Sequence, residues 1–418
     1  MHELLPDGFL FGASTSAHQI EGNNVSSDWW AFENAPGSPV TEPSGDACDS
    51  FLRWREDMDL LRSLGFDSYR FSVEWARVEP VRGRISNSAV AHYVDMVEYA
   101  RRVGLEPVVT LHHFTHPLWF MTDGGWLADD ALDRFQRYLD AVAPVLDAGV
   151  RTAVTINEPN ILAVMHAIVR GEAELEGGLL GGLPAPHRPT AERLAAAHRL
   201  AVDHLHRRHP GVRAGWTIAN QAVQSTPDGD AVADDYRRTR EDWFIEQSRG
   251  DDFIGVQSYT RTIMGREGIV PVAPEVERTL TGWEYYPAAL EEAVRHTAEV
   301  APGMPIIVTE NGVAVADDER RIDYTRRALR GLARAMADGI DVHGYLHWSA
   351  LDNYEWGRFA PTFGLIAVDR TAFVRTPKPS AFWLGSLARR RMLVAPQAEG
   401  EAPRDDESHD AGATPATR

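Results

Sequence analysis

Two glutamates stand in matching contexts: Glu158 in Thr155-Ile156-Asn157-Glu158-Pro159 and Glu310 in Ile307-Val308-Thr309-Glu310-Asn311-Gly312. Each follows a run of β-branched and apolar residues and precedes a turn breaker, which puts a carboxylate at the C-terminal end of two separate strands. Two carboxyl groups about 5–5.5 Å apart suit the cleavage of a glycosidic bond with retention: one attacks the anomeric carbon and the other protonates the departing oxygen. A single glutamate at a strand end is usually a surface acid or a helix cap. A matched pair is harder to explain that way.

The two acids then need opposite protonation states near neutral pH. Arg70, in Tyr69-Arg70-Phe71-Ser72 at the end of another strand, is expected beside Glu310, holding it ionised. The negative charge on Glu310 should in turn keep Glu158 protonated until Glu310 becomes an ester. Of the 12 tryptophans, Trp348, Trp356 and Trp126 are expected near a sugar, because flat rings match the C–H faces of a pyranose. His112-His113-Phe114-Thr115-His116 invites a zinc reading, which is set aside because neighbouring strand residues point to opposite faces. One of these histidines is better used as a donor to a sugar hydroxyl. Phe9-Leu10-Phe11-Gly12-Ala13-Ser14 lacks the glycine spacing and lysine of a phosphate loop. Neither a metal nor a cofactor is expected.

These residues need a frame that brings distant strand ends together. Strand-like apolar segments recur at Phe9–Ser14, Ser68–Val73, Pro107–Leu111, Thr152–Ile156, Val212–Ile218, Phe253–Val256, Ile306–Thr309 and Val342–Leu346. Helical periodicity lies between them at Ala89–Val103, Ala131–Leu146, Ala191–His206, Ala231–Glu246, Ala288–Val300 and Tyr324–Ala337. The alternation predicts an α/β fold, a single (β/α)8 TIM barrel over residues 1–395. In such a barrel Glu158 and Glu310 end the fourth and seventh strands on the catalytic face. Two segments, Ile168–Thr190 and Arg261–Trp283, read as long βα loops around the mouth. Residues 396–418, acidic and rich in Ala and Pro, read as a disordered tail.

Composition narrows the partners. A net charge of −19, from 61 acids against 42 Lys and Arg, disfavours nucleic acid and anionic membrane and suits an uncharged small molecule. The single cysteine, Cys48, excludes an intrachain disulfide and a cysteine-based zinc site. There is no basic leader and no apolar run of about eighteen residues, so a cytoplasmic location is expected.

From about Leu5 to Leu387 the chain resembles family 1 of the glycoside hydrolases, the β-glucosidase family. The resemblance is carried in order by Phe9–Gly22 with its His18-Gln19-Ile20-Glu21-Gly22, then Tyr69-Arg70-Phe71-Ser72, Thr155-Ile156-Asn157-Glu158-Pro159, Gly282-Trp283-Glu284, Thr309-Glu310-Asn311-Gly312 and Asp352-Asn353-Tyr354-Glu355-Trp356. It implies Glu158 as acid/base and Glu310 as nucleophile, Asn157 on the sugar 2-hydroxyl and Tyr259 as a phenol touching the nucleophile. It implies Gln19, His113, Glu355 and Trp356 on the other glycone hydroxyls, and Trp348 as the stacking platform. Family members acting on 6-phosphorylated sugars carry a serine where this chain has Glu355; a carboxylate there implies a neutral glycone.

Four positions depart from the family pattern. Phe114 replaces a tryptophan and loses its N–H, Gln257-Ser258-Tyr259 replaces Asn-Tyr-Tyr, and Thr362 takes an arginine position before Phe363-Gly364-Leu365. The expected activity is hydrolysis of terminal non-reducing β-D-glycosyl residues of a small β-glycoside or oligosaccharide, with a strict glucose preference loosened by these changes. A transglycosidase or a metabolite-tailoring glycosidase would use the same pair of carboxylates. A non-catalytic carbohydrate-binding barrel would need neither.

Overall fold

The computed structural model describes residues 4–172 and 183–394. Each anticipated apolar run becomes one stave of a closed parallel barrel. These are β1 (Leu10–Ser14), β2 (Ser68–Ser72), β3 (Glu106–Thr110), β4 (Thr152–Asn157), β5 (Arg213–Ala219), β6 (Ile254–Gln257), β7 (Ile306–Asn311) and β8 (Val342–Trp348). They follow chain order round the barrel, and β1 pairs in parallel with both β2 and β8 to close it. Glu158 and Glu310 therefore belong to the fourth and seventh staves.

Helices cover the outer face, so the strands are apolar nearly throughout instead of alternating; every residue of β4 and β7 is buried. Leu10, Val108, Val154, Phe253, Ile307 and Leu346 form a small cluster of their own, apart from the larger layer between strands and helices. Both acid-bearing strands lose regular register just before their acids, β4 between Val154 and Asn157 and β7 between Val308 and Glu310. Irregularities of this kind re-aim the side chains that follow.

The helices carry ordinary start and stop signals. In Asn87–Val103, the Ser86 hydroxyl accepts from the Ala89 N–H, and the helix ends on Gly104 at φ +86°. Two anticipated helices are interrupted. The segment Ala131–Leu146 is split into Ala131–Ala141 and Ala143–Asp147, because Pro144 lacks an N–H and its ring crowds the carbonyl four residues earlier. The segment Ala231–Glu246 runs as Asp230–Arg237, a wide π turn at Arg238–Asp242, and Trp243–Gln247.

The anticipated loop Arg261–Trp283 is partly a sheet. Arg261–Gly265 pairs with Ala222–Ser225 in parallel and with Gly268–Ile269 antiparallel. A further hairpin of Ile366–Val368 with Arg375–Pro377 precedes the last helix, Pro379–Arg390. Of the other long loop, residues 173–182 lie outside the described residues, as does the tail 396–418. No helix among the described residues is long and apolar enough to cross a membrane.

One glycine holds the two late strands at the site together. A Cβ on Gly312, two residues past Glu310, would collide with the carbonyl oxygen of Trp348. Gly312→Ala is expected to cost about 1–3 kcal/mol, the range for overpacking, and to lower turnover because Trp348 must move. A thermal melt and a kcat/KM measurement check both; unchanged values would mean that the β7 and β8 ends give way freely.

Candidate active site

Glu158 comes one residue after β4 and turns the chain from strand to helix by itself. Its backbone is left-handed, φ +43°, and the helix Pro159–Val169 begins at the next residue. Such a conformation costs a non-glycine residue about 1–3 kcal/mol and persists only where surroundings enforce it. The Glu158 N–H donates to the Thr217 carbonyl on β5 (2.9 Å), and Pro159 needs no donor at the first helical position.

Glu310 lies within β7, its Cα in register with Gln257 of β6. Its carboxylate takes Arg70 Nη1 at 2.6 Å on Oε1 and the Tyr259 hydroxyl at 2.5 Å on Oε2. Arg70 is fully buried and spends its guanidinium on three strands. Nε donates to Thr110 Oγ1 (3.0 Å), Nη1 to Glu310, and Nη2 to Asn157 Oδ1 (2.5 Å). Asn157 Oδ1 also accepts from Thr217 Oγ1 (3.1 Å) and Gln257 Nε2 (3.0 Å).

The acids differ in what holds them. No described residue hydrogen-bonds the Glu158 carboxyl. Although it borders the cavity and keeps some accessible surface, burial is the largest cause raising it well above the ordinary carboxylate range, and the charge of Glu310 is second. The sequence argument had credited Glu310 alone; desolvation takes first place because Glu158 sits below the barrel mouth. Glu310 is raised too, by burial first, while Arg70 lies beside it as expected. The charge of Arg70 and hydrogen bonds from Tyr259, Arg70 and Gln257 all pull it back toward the ionised form. Tyr259 stays a donor, since burial and then Glu310 push its phenol far up.

Both glutamates border one cavity of about 300 Å³. Gln19, His113, Tyr259, Trp348, Glu355 and Trp356 line it as well, as the resemblance implied. Gln19 is pinned by donating to the Tyr354 carbonyl (2.8 Å) and Asn353 Oδ1 (3.2 Å) while accepting from Ser16 (2.6 Å). Trp348 Nε1 donates to Glu355 Oε1 at 3.3 Å. Burial outweighs that bond, which favours the anion, and raises Glu355 well above its usual range. Trp356, at φ +48°, is stacked on His18 with centroids 5.6 Å apart and meets the edge of Phe114 at 5.3 Å.

His112 and His113 do diverge, but from the turn after β3 and not from the strand itself. His113 faces the cavity and is kept neutral by burial first and by Arg70 second. His112 packs against Trp75, His116 and Trp126. Trp126, expected near a sugar, does not line the cavity: it is 3% exposed, and its Nε1 donates to His116 Nε2 (2.8 Å) in an aromatic cluster with Phe120. Among the described residues no cluster of His, Cys, Asp and Glu could hold a metal ion.

Sequence reasoning missed an apolar wall. Ile161, Val164 and Met165, on one face of the helix that starts beside Glu158, line the cavity, with Leu183 and Pro361. That helix is apolar nearly all round, and its spacing of three and four was the available signal. A second cleft of about 340 Å³, lined by Asn24, Phe51, Arg77 and His92 among others, has no carboxylate in its lining.

The profile of Glycosyl hydrolase family 1 matches residues 1–253 and 248–392. The chain belongs to this family. A bifunctional beta-D-glucosidase/beta-D-fucosidase of Bifidobacterium breve is 31% identical, covering 92% of this chain and 98% of its own. Among solved structures, the beta-glycosidase BGL167 is 43% identical with a TM-score of 0.84, covering 95% of this chain and 99% of that one. A beta-glycosidase from Pyrococcus horikoshii is 32% identical with a TM-score of 0.82, over 94% and 96%. The protein is thus an O-glycosyl hydrolase with the (β/α)8 barrel of family 1. Where Thr362 replaces the usual arginine, the buried Arg321 reaches its carbonyl from the helix Asp318–Ala337.

The Tyr259 bond favours the charged form of Glu310, so removing it raises the pKa of that acid. In Tyr259→Phe the acid limb of the kcat/KM profile should therefore move to higher pH. The plateau should fall roughly ten- to a hundredfold, the scale of one hydrogen bond to a charged group. An acid limb that stays in place would separate Tyr259 from the charge on Glu310.

Proposed function

We propose that this family 1 hydrolase is a retaining β-glycosidase that removes terminal non-reducing β-D-glucosyl residues from small β-glycosides by double displacement. The observation that carries the reading is the asymmetry of the pair. Glu310 is gripped by Arg70 and Tyr259 and favoured as an anion, whereas Glu158 has burial and a neighbouring charge keeping its proton on.

In the first step a Glu310 oxygen attacks the anomeric carbon, the glycosidic C–O bond breaks, and Glu158 delivers its proton to the leaving oxygen. Glu310, now an ester, carries no charge. One cause of the raised Glu158 pKa is gone, and Arg70, left without an anion, pulls it further down. Glu158 then takes a proton from water, whose oxygen attacks the same carbon and releases Glu310. Asn157 binds the 2-hydroxyl and Trp348 stacks beneath the ring. Gln19, His113, Glu355 and Trp356 fix the remaining hydroxyls.

Glucose is the first choice of glycone, supported by β-glucosidase relatives, and the name of the Bifidobacterium breve relative adds β-D-fucosides as the second. Glu355 suits a neutral sugar in either protonation state, since ionised it repels a phosphate and protonated it offers a single donor. A cytoplasmic location belongs to the same reading, in which the lone buried Cys48 leaves the fold no intrachain disulfide that would need an oxidising compartment.

Glu310→Gly is expected to lose turnover of an aryl β-glucoside by on the order of 10⁶-fold, the scale of removing a covalent nucleophile, and to yield the α-glycosyl azide when azide is added. Glu158→Ala should give the β-azide. Chromatography or NMR of the products decides, and reversed anomers would exchange the two roles.

Protonation state also has a stability signature. Because the folded pKa of Glu158 lies above its unfolded value, its contribution is present below the unfolded carboxyl range and is lost as pH rises through the folded value. Glu158→Gln should therefore melt higher than the parent at alkaline pH, with the gap closing in acid. A gap independent of pH would show that Glu158 does not titrate differently in the fold.

A further inference from the structure

The proton bookkeeping of the buried amides next to Glu310 fixes which atoms remain free for a ligand. Arg70 has only donors, so the atom of Asn157 that meets its Nη2 must be the carbonyl Oδ1. Thr217 Oγ1 donates to the same oxygen. The group that Gln257 turns toward it must then be its NH₂, at 3.0 Å, because two carbonyl oxygens would repel. That amide also donates toward Glu310.

Two atoms are left over. Asn157 Nδ2 and Gln257 Oε1 are both buried without a partner among the described residues. Asn157 is 1% exposed, and so is Gln257, which lines the cavity. Buried polar atoms of this kind are costly unless something completes them. One is a donor and the other an acceptor, and they belong to hydrogen-bonded neighbours flanking the nucleophile. A hydroxyl, which accepts and donates at once, satisfies both; an ether, an amine cation or a carboxylate satisfies one at most.

We propose that Gln257 is a substrate-binding and positioning residue of this enzyme, its Oε1 accepting the proton of the glycone hydroxyl on the carbon next to the anomeric centre while Asn157 Nδ2 donates to the same oxygen. The inference rests on Glu310 being the nucleophile, since that places the anomeric carbon, and therefore its neighbouring hydroxyl, beside Asn157 and Gln257. Gln257 stands where the family pattern has a shorter asparagine, and its side chain both meets Asn157 and lines the cavity. As positive charge builds on the anomeric carbon the adjacent hydroxyl becomes a stronger donor. An acceptor waiting for it then binds the transition state more tightly than the ground state.

The test compares an aryl β-D-glucoside with its 2-deoxy analogue, each on the wild type, Gln257→Met and Gln257→Leu, at the pH plateau of each protein. Comparing the ratio of kcat/KM for the two substrates between wild type and variants cancels the higher intrinsic reactivity of the 2-deoxy sugar. The wild type should show the largest penalty for deleting the hydroxyl, and in both variants that penalty should shrink roughly tenfold, the scale of one hydrogen bond. An equal fall on both substrates, leaving the penalty unchanged in the variants, would overturn the contact and reduce Gln257 to a structural support. If Glu310→Gly instead retains turnover, the nucleophile assignment itself fails, a result separable from either outcome at Gln257.

Discussion

A guanidinium buried at the centre of a barrel has to be answered by negative charge, and that requirement organises this molecule. Arg70 reaches across from β2 to Thr110, Asn157 and Glu310, on the third, fourth and seventh staves. A buried cation deprived of its partner is worth several kcal/mol of destabilisation. The ring therefore closes with the Glu310 strand, the Asn157 strand that leads into Glu158 and the Arg70 strand in one relative placement. The charge that favours the Glu310 anion is the same one that orients Asn157. Position and ionisation are two effects of one side chain.

The difference between the acids follows from what each is denied. Both are desolvated, and desolvation alone would protonate both. Glu310 accepts hydrogen bonds from an arginine and a phenol; Glu158 has neither bond, and the repulsion of Glu310 outweighs the more distant pull of Arg70. In a site of low dielectric these contacts count for far more than in water, so similar burial yields two different chemical roles.

Much of this was legible in the chain. All eight staves appear within one or two residues of the apolar runs, because strands covered on both faces are apolar over most of their length. The placement of Glu158, Glu310 and the Arg70 contact could be read because two carboxylates in matching strand-end contexts, with a guanidinium ending a third strand, are hard to explain as surface acids or caps. What stayed hidden depended on distant partners. The rim strand Arg261–Gly265 exists through pairing with Ala222–Ser225, and no local pattern announces that. Trp126 sits among turn residues like a mouth aromatic, yet His116 claims its N–H beneath the surface. The lead of burial over charge in raising Glu158 required knowing its depth. The free edges of Asn157 and Gln257 emerged only after every neighbouring donor had been assigned.

The helix Pro159–Val169 does two jobs with one backbone. Its first residue follows Glu158, and its Ile161, Val164 and Met165 line the cavity that both glutamates border, where the proposed reaction would place the departing group. Choice of leaving group and delivery of the proton to it are thus mechanically geared. Reshaping that wall for a bulkier or more polar aglycone tilts the very segment from which Glu158 hangs. Engineering new selectivity there entails retuning acid catalysis in the same stroke.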